Sequence, residues 1–216
     1  ADGENIVAAR SNFMAEHKLI TGLDYTTQLI GNNDTRFSLV YVRKSGEPYS
    51  VTFDGYDDAF ANDRSDGGYD AAYIPTGASD PNVVFASAAV ADAVMAHVNG
   101  SGLAGYKGSI VPRNAFNSPW TSSLDLRITQ DINVMDGHKV ILYLDITNVL
   151  NLLDDDKGIM KEYSNRSRQI ILEEDNTYDS QGRYNIVGVD PDDGLFVRNK
   201  DGQSSYQWNL GFKYQF

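Results

Sequence analysis

Hydrophobic and polar residues alternate without a break over the last stretch of the chain. Tyr206, Trp208, Leu210, Phe212, Tyr214 and Phe216 fall on even numbers, with Gln207, Asn209, Gly211, Lys213 and Gln215 between them. A period of two sends the two sets to opposite faces of a strand. A soluble sandwich has little use for so many large apolar side chains on one face of a single strand. A strand of an outer-membrane barrel has such a use, because one face meets lipid and the other the lumen.

The same alternation recurs upstream. From Trp120 the residues Leu124, Leu126, Ile128, Ile132 and Val134 share one face, and Thr121, Ser123, Asp125, Arg127, Thr129, Asp131 and Asn133 the other. Met135-Asp-Gly-His138 then reads as a hairpin turn. The next strand, Lys139 to Asn148, points Val140, Leu142, Leu144 and Ile146 outward. An earlier pair flanks the turn Gly31-Asn-Asn-Asp34. One strand spans His17 to Leu29, with Leu19, Leu23, Tyr25 and Leu29 on a face. The other starts near Thr35 with Phe37, Leu39 and Tyr41, and its alternation admits an extension through Ser45-Gly-Glu-Pro-Tyr-Ser50 to Phe53.

Two long insertions, 54–118 and 154–204, separate these elements. The first opens Gly/Asp-rich, then predicts an Ala-rich helix over 84–98 closed by Asn99-Gly100, with Gly100-Ser-Gly-Leu-Ala-Gly105 as a flexible linker. The second predicts a hairpin: 168–176, a turn at Asp179-Ser-Gln-Gly182, and 183–189. Short turns therefore alternate with long loops. If Phe216 lies at the periplasm, both short turns fall there and both insertions fall outside, as outer-membrane barrels require. The fold expected is all-β: an up-and-down antiparallel transmembrane β-barrel segment of five long strands in a curved sheet. Its extracellular loops are long, and one carries a short helix.

Composition narrows the class. The 216 residues fit one domain, and a mean hydropathy of -0.39 leaves no helical membrane protein. The longest apolar-leaning stretch, 83–98, is broken by Ser87, Asp92 and His97, and barrels escape that test because half of each strand is polar. Thirteen Tyr, nine Phe and two Trp suit aromatic girdles, and Trp120 and Trp208 read as interfacial anchors. A net charge of -12 argues against nucleic acid as a partner. Cysteine is absent, so there is no disulfide framework or thiol chemistry. On the three clearest strands the charges (Asp125, Arg127, Asp131, Asp145, Lys213) fall on the lumen-facing set, and none falls on the lipid-facing one.

Candidate chemistry is sparse. Asp54, Asp57, Asp58, Asp63, Asp66 and Asp70 form a glycine-spaced acidic cluster, whose carboxylates are the candidate Ca²⁺ ligands. The cluster lacks the spacing of an EF-hand and reads first as a solvated loop, as do Asp154 to Asp156 and Asp190-Pro-Asp-Asp-Gly194. His17, His97 and His138 lie on different elements, and neither HExxH nor a GxSxG elbow occurs. Neither a catalytic site, a metal centre nor a cofactor is expected, and the chain is not read as an enzyme.

Several strings resemble the C-terminal end of TonB-dependent outer-membrane receptors of the Oar-like, OmpA-related branch. They are Thr35-Arg-Phe with Ser45-Gly-Glu-Pro-Tyr-Ser50; Gly108-Ser-Ile-Val-Pro-Arg-Asn-Ala115; Ser118-Pro-Trp with Leu124-Asp-Leu-Arg127 and Gln130; and Leu144-Asp-Ile-Thr-Asn-Val-Leu-Asn-Leu-Leu153. With the terminal aromatic strand, which resembles the family's barrel-assembly signal, they run in order from Thr35 to Phe216. Asp154-Asp-Asp-Lys-Gly158 departs from the family's aromatic before the Gly. The resemblance implies a barrel of about 22 strands with an N-terminal plug and an energy-coupling box, neither visible here. It therefore implies a C-terminal piece of a larger bacterial outer-membrane receptor, and the start at Ala1-Asp-Gly-Glu without Met agrees with a removed signal or a fragment.

The partners it implies are outer-membrane lipid, the barrel-assembly machinery (through Tyr206 to Phe216), the TonB system through the absent N-terminal part, and an external ligand. That ligand could be a siderophore, a cobalamin, a glycan or a peptide. The alternative is a structural or adhesive barrel without transport.

Overall fold

The computed structural model describes residues 8–54, 71–163, 167–190, 195–198 and 204–216. In chain order the elements are β1 (Lys18–Ile30), β2 (Asn33–Lys44), β3 (Pro48–Asp54), β4 (Tyr73–Ile74), β5 (Val83–Phe85), α1 (Ala88–Gly100), a 3-10 turn (Gly102–Tyr106), β6 (Ser109–Ile110) and β7 (Phe116–Asn117). They continue with β8 (Thr121–Met135), β9 (His138–Thr147), α2 (Val149–Leu153), β10 (Met160–Tyr163), β11 (Ser167–Tyr178), β12 (Tyr184–Val189), β13 (Leu195–Arg198) and β14 (Gln207–Gln215). The protein is mostly β and divides into two compact units.

One unit, 15–46 with 119–162 and 197–216, holds a five-stranded sheet in the order β1-β2-β8-β9-β14. Every pair in it is antiparallel. These are the five strands that the alternation predicts. Gly31, at the first central position of the β1–β2 turn, takes φ +58°, a conformation that costs glycine little. A register irregularity between Thr27 and Ile30 takes Leu29 out of the regular ladder. Among the described residues the sheet is open: β1 and β14 each pair on one side only.

The other unit, 1–14 with 47–118 and 163–196, is built jointly from the two insertions. Its sheet runs β5-β12-β11-β3-β7. In it β3 of the first insertion pairs in parallel with β11 of the second, and β5 with β12 likewise. The extension of β2 to Phe53 is therefore corrected. β2 stops at Lys44, and 48–54 is a separate strand of this second sheet. Pro48 has no N–H and restrains Glu47, which breaks a continuous ladder.

The core gathers Val51, Phe53, Ile74, Val94, Val98, Leu103, Ile171 and Ile186, all nearly inaccessible. The helix expected at 84–98 forms at 88–100, capped by the Ser87 hydroxyl, which accepts from the Val90 N–H at 3.2 Å. The linker reading of 100–105 is also corrected. The segment is a 3-10 turn held by Ser101, with Leu103 buried, so burial of one leucine overrides its glycine content. The predicted hairpin forms as β11 and β12, antiparallel.

Asp80 pins one corner of this unit. Its carboxylate accepts from Thr76 N–H (2.7 Å), Thr76 Oγ1 (2.9 Å), Asn82 N–H (2.9 Å) and Tyr73 OH (3.0 Å). Burial pushes its pKa up, but these donors outweigh it and hold the carboxyl below its ordinary value. A depressed folded pKa contributes stability above the unfolded value of about 3.9 and loses it as pH falls through the folded one. We expect amide protection at Thr76 and Asn82 to drop on acidification below about pH 4 in the wild type. Asp80→Asn should cost about 1–3 kcal/mol at neutral pH and flatten that dependence. Hydrogen exchange across a pH series measures both.

Candidate functional site

The registers place the apolar residues of all five strands on one face. Residues directly opposite in adjacent antiparallel strands share a face, so the ladder can be read across the sheet. One row is Leu23, Leu39, Leu126, Ile146 and Trp208; the next is Tyr25, Phe37, Ile128, Leu144 and Leu210. Thr27, Thr35, Gln130, Leu142 and Phe212 follow, then Ile132, Val140 and Tyr214. Much of this face is exposed, with Leu210 and Phe212 both at 72%. Its one amide-bearing row is satisfied internally. The Thr35 hydroxyl donates to Gln130 Oε1 at 2.5 Å, and Gln130 Nε2 donates to the Asp131 carbonyl at 2.7 Å.

The opposite face carries a charged and polar ladder. Its central row is Asp24, Ser38, Arg127, Asp145 and Asn209. Arg127 grips Asp145 in a bidentate pair, at 2.5 and 2.8 Å, and Ser38 donates to Asp24. Lys139 reaches Asp131 at 2.8 Å. Tyr143 lies beneath the Arg127 guanidinium, 5.6 Å from it, and over Gly211, where any side chain would collide with the phenol. Ile20, Val40, Val42 and Ile141 also lie on this face, so it is mixed rather than purely polar.

Amphipathic aromatic groups mark both ends of the apolar face. At the end bearing the tight turns, His138 Nδ1 and the Tyr214 hydroxyl meet at 2.5 Å with their rings stacked. At the end from which the insertions leave, His17 stacks on Trp120 at 6.1 Å, and the Arg43 guanidinium sits 5.4 Å from the indole. Beside Trp120 a groove of about 440 Å³ opens, walled by Tyr41, Trp120, Leu150 and Ile159 and rimmed by Lys157 and Lys161.

The groove's wall is set by a knot after β9. Asn148 takes φ +56°, which ends the strand. Its N–H donates to Asp125 at 2.8 Å, and its Nδ2 to the Gly158 carbonyl at 2.8 Å. Asn151 Nδ2 holds the carbonyls of Asp155 and Lys157 at 3.2 and 3.1 Å. Gly158 has φ +62°, and a methyl group there would meet the Asn148 amide. Gly158→Ala should cost about 2 kcal/mol, from left-handed strain plus crowding, read as a lowered urea midpoint.

The structure thus brings together on one face every residue read as lipid-facing: Trp120, Leu124, Leu126, Ile128, Val140, Leu142, Leu144, Ile146, Trp208, Leu210, Phe212 and Tyr214. Of the acidic candidates only part is described. Asp54 closes β3, and Asp57, Asp58, Asp63, Asp66 and Asp70 lie outside the described residues. Asp154 is engaged by Lys157 at 2.9 Å and by the Asp156 N–H at 3.0 Å. Among the described residues no cluster of three or more His, Asp or Glu could hold a metal.

Sequence reasoning missed the groove and its lysines. The signal available was Asn148, a residue that tolerates the left-handed region, set at the end of an alternating run. Comparison with protein-family models, with curated proteins and with solved structures returns no match.

Proposed function

We propose that this chain is the C-terminal part of the transmembrane β-barrel of an outer-membrane receptor of the TonB-dependent kind, which takes up an external ligand. The observation that carries the reading is the division of the sheet into an exposed apolar face and a polar ladder, kept in register across all five strands. An exposed apolar face of this extent is unusual in a soluble monomer and is what lipid requires.

The dimensions agree. From Leu124 to Val134, β8 covers about 34 Å along the strand. At a tilt of about 45° that is close to the ~25 Å apolar band of such barrels. The open edges of β1 and β14 support membership of a larger barrel, because unpaired edges are not tolerated in lipid.

The receptor reading draws on the strings that resemble the family, which meet in pairs. Leu124-Asp-Leu-Arg127 meets Leu144-Asp-Ile-Thr-Asn148 through Arg127–Asp145 and Asp125–Asn148. Ser50 accepts from the N–H of Asn114, joining two more. The unit formed by the insertions is the candidate for ligand capture. TonB, acting through a plug upstream of these residues, would drive release.

The absence of cysteine gives a clean test. Single cysteines at Asn209, Leu210, Phe212 and Lys213 in outer-membrane vesicles should react with an aqueous maleimide at 209 and 213 only. Positions 210 and 212 should react after detergent extraction. Equal reactivity at all four would end the membrane reading. Correct periodicity without TonB-dependent uptake would favour the adhesive barrel instead.

A further inference from the structure

The groove beside Trp120 has features that spanning a membrane does not demand. It lies where the apolar face ends, on the side from which the insertions leave. Tyr41 and Trp120 line it, and the Tyr41 side of that lining continues directly into the apolar ladder. Tyr41 lies opposite Leu124, and Leu39 and Leu126 follow, then Phe37 and Ile128. Its lining carries two lysines against one carboxylate, within a chain of net charge -12. Lys157 stands 66% exposed, held by Asp154, and Lys161 makes no ion pair among the described residues. Arg43 sits over the indole from the β2 side. Asp156 is the acidic member of the lining. Hydroxyl donors are at hand too, with Tyr41 OH 3.3 Å from Ser122 Oγ.

We infer that this groove seats the phosphate-bearing headgroup of an anionic membrane lipid, with Lys157 and Lys161 on the phosphate and the acyl chains lying over β2 and β8. The occupant follows from charge complementarity joined to continuity. A soluble anion would use the lysines but leave the aromatic lining and the apolar track unused, whereas an uncharged lipid would use the track and leave the lysines. Ammonium groups near a membrane surface attract anionic headgroups by about fivefold in affinity each, and Trp at such a boundary anchors by its amphipathic ring. The inference rests on the membrane reading above.

The chain's two tryptophans separate the two ideas. With Trp208→Phe, Trp120 reports on the groove; with Trp120→Phe, Trp208 reports on the general lipid face. The full chain is placed in phosphatidylcholine bilayers containing a minor fraction of phosphatidylglycerol, with bromine on the acyl chains of one lipid or the other. Trp120 should be quenched preferentially by the brominated phosphatidylglycerol. Lys157→Gln and Lys161→Gln should each cut that preference about fivefold, and Asp156→Asn should raise it. Trp208 should be quenched by both lipids in proportion to their abundance.

If Trp208 is quenched by neither, the membrane reading fails. If Trp208 is quenched and Trp120 shows no lipid preference, the groove inference alone is overturned. Equal competition by soluble glycerol phosphate would likewise overturn it, in favour of a free anion. Should the lysine variants fail to insert, loss of the wild-type Trp120 preference at high salt carries the same information, and a preference indifferent to salt refutes it.

Discussion

Leu144→Arg should abolish stable insertion of the protein, while Asn209→Arg should leave it nearly unchanged. Leu144 lies in the middle row of the apolar face, between Ile128 and Leu210. An arginine at the bilayer midplane of a barrel strand costs about 2–4 kcal/mol, and in this row neither end of the strand is near enough for the side chain to reach water. Asn209 is in the neighbouring register, on the opposite face, directly across from Asp145. An arginine there meets a carboxylate that already holds one guanidinium, in a setting where charge is present in the wild type. Heat-modifiable migration and the urea midpoint in lipid vesicles measure both variants. The two substitutions add the same charge at adjacent ladder rows, so a general sensitivity to positive charge would affect them alike. Equal losses would refute the assignment of faces, and so would a tolerated Leu144→Arg.

The part of the fold legible in the sequence was the part governed by a period of two. β8, β9 and β14 declare themselves because each gathers its large apolar residues on one face, so polarity alone fixes their phase. The same rule misled at 48–53. Phe37, Leu39 and Tyr41 are odd-numbered, and so are Tyr49, Val51 and Phe53. The alternation therefore runs in phase across Gly46-Glu-Pro48, although the first set is half-buried on one face of the five-stranded sheet and the second lies in the buried core of the other unit. Periodicity reports that one face is apolar and does not report what covers it.

The parallel pairing of β3 with β11 was illegible for a different reason. Its partners lie far apart in the chain and have no turn to join them. The groove was missed because Lys157 belongs to a turn fixed by Asn148 and Asn151, whose geometry depends on side-chain bonds to backbone carbonyls rather than on any repeat, and Lys161 to the short strand β10 that follows it.

Ile171→Ala should loosen both insertions together, by about 2–5 kcal/mol. Ile171 is wholly inaccessible and stands in β11 opposite Phe53 on one side and Val189 on the other. It is thus the point where the strand of the first insertion and the hairpin of the second share one core. Phe53 and Tyr73 each pack on Tyr184, at 5.3 and 5.2 Å, and Tyr49 packs on Tyr163 at 4.4 Å, so rings of the first insertion rest on tyrosines from the second half of the unit. The buried core draws most of its residues from the first insertion and Ile171 and Ile186 from the second, so removal of the isoleucine leaves a cavity that both must line.

Native-state hydrogen exchange should show the amides of β3, β12 and α1 losing protection by the same free energy, as one cooperative unit. If only 167–189 loosened while β3 and α1 kept their protection, the insertions would be two independent loops. A ligand captured by this unit would then be held by one of them alone. If the losses coincide, the unit proposed to capture the ligand is a small folded body, and substitutions in either insertion should weaken binding through the other.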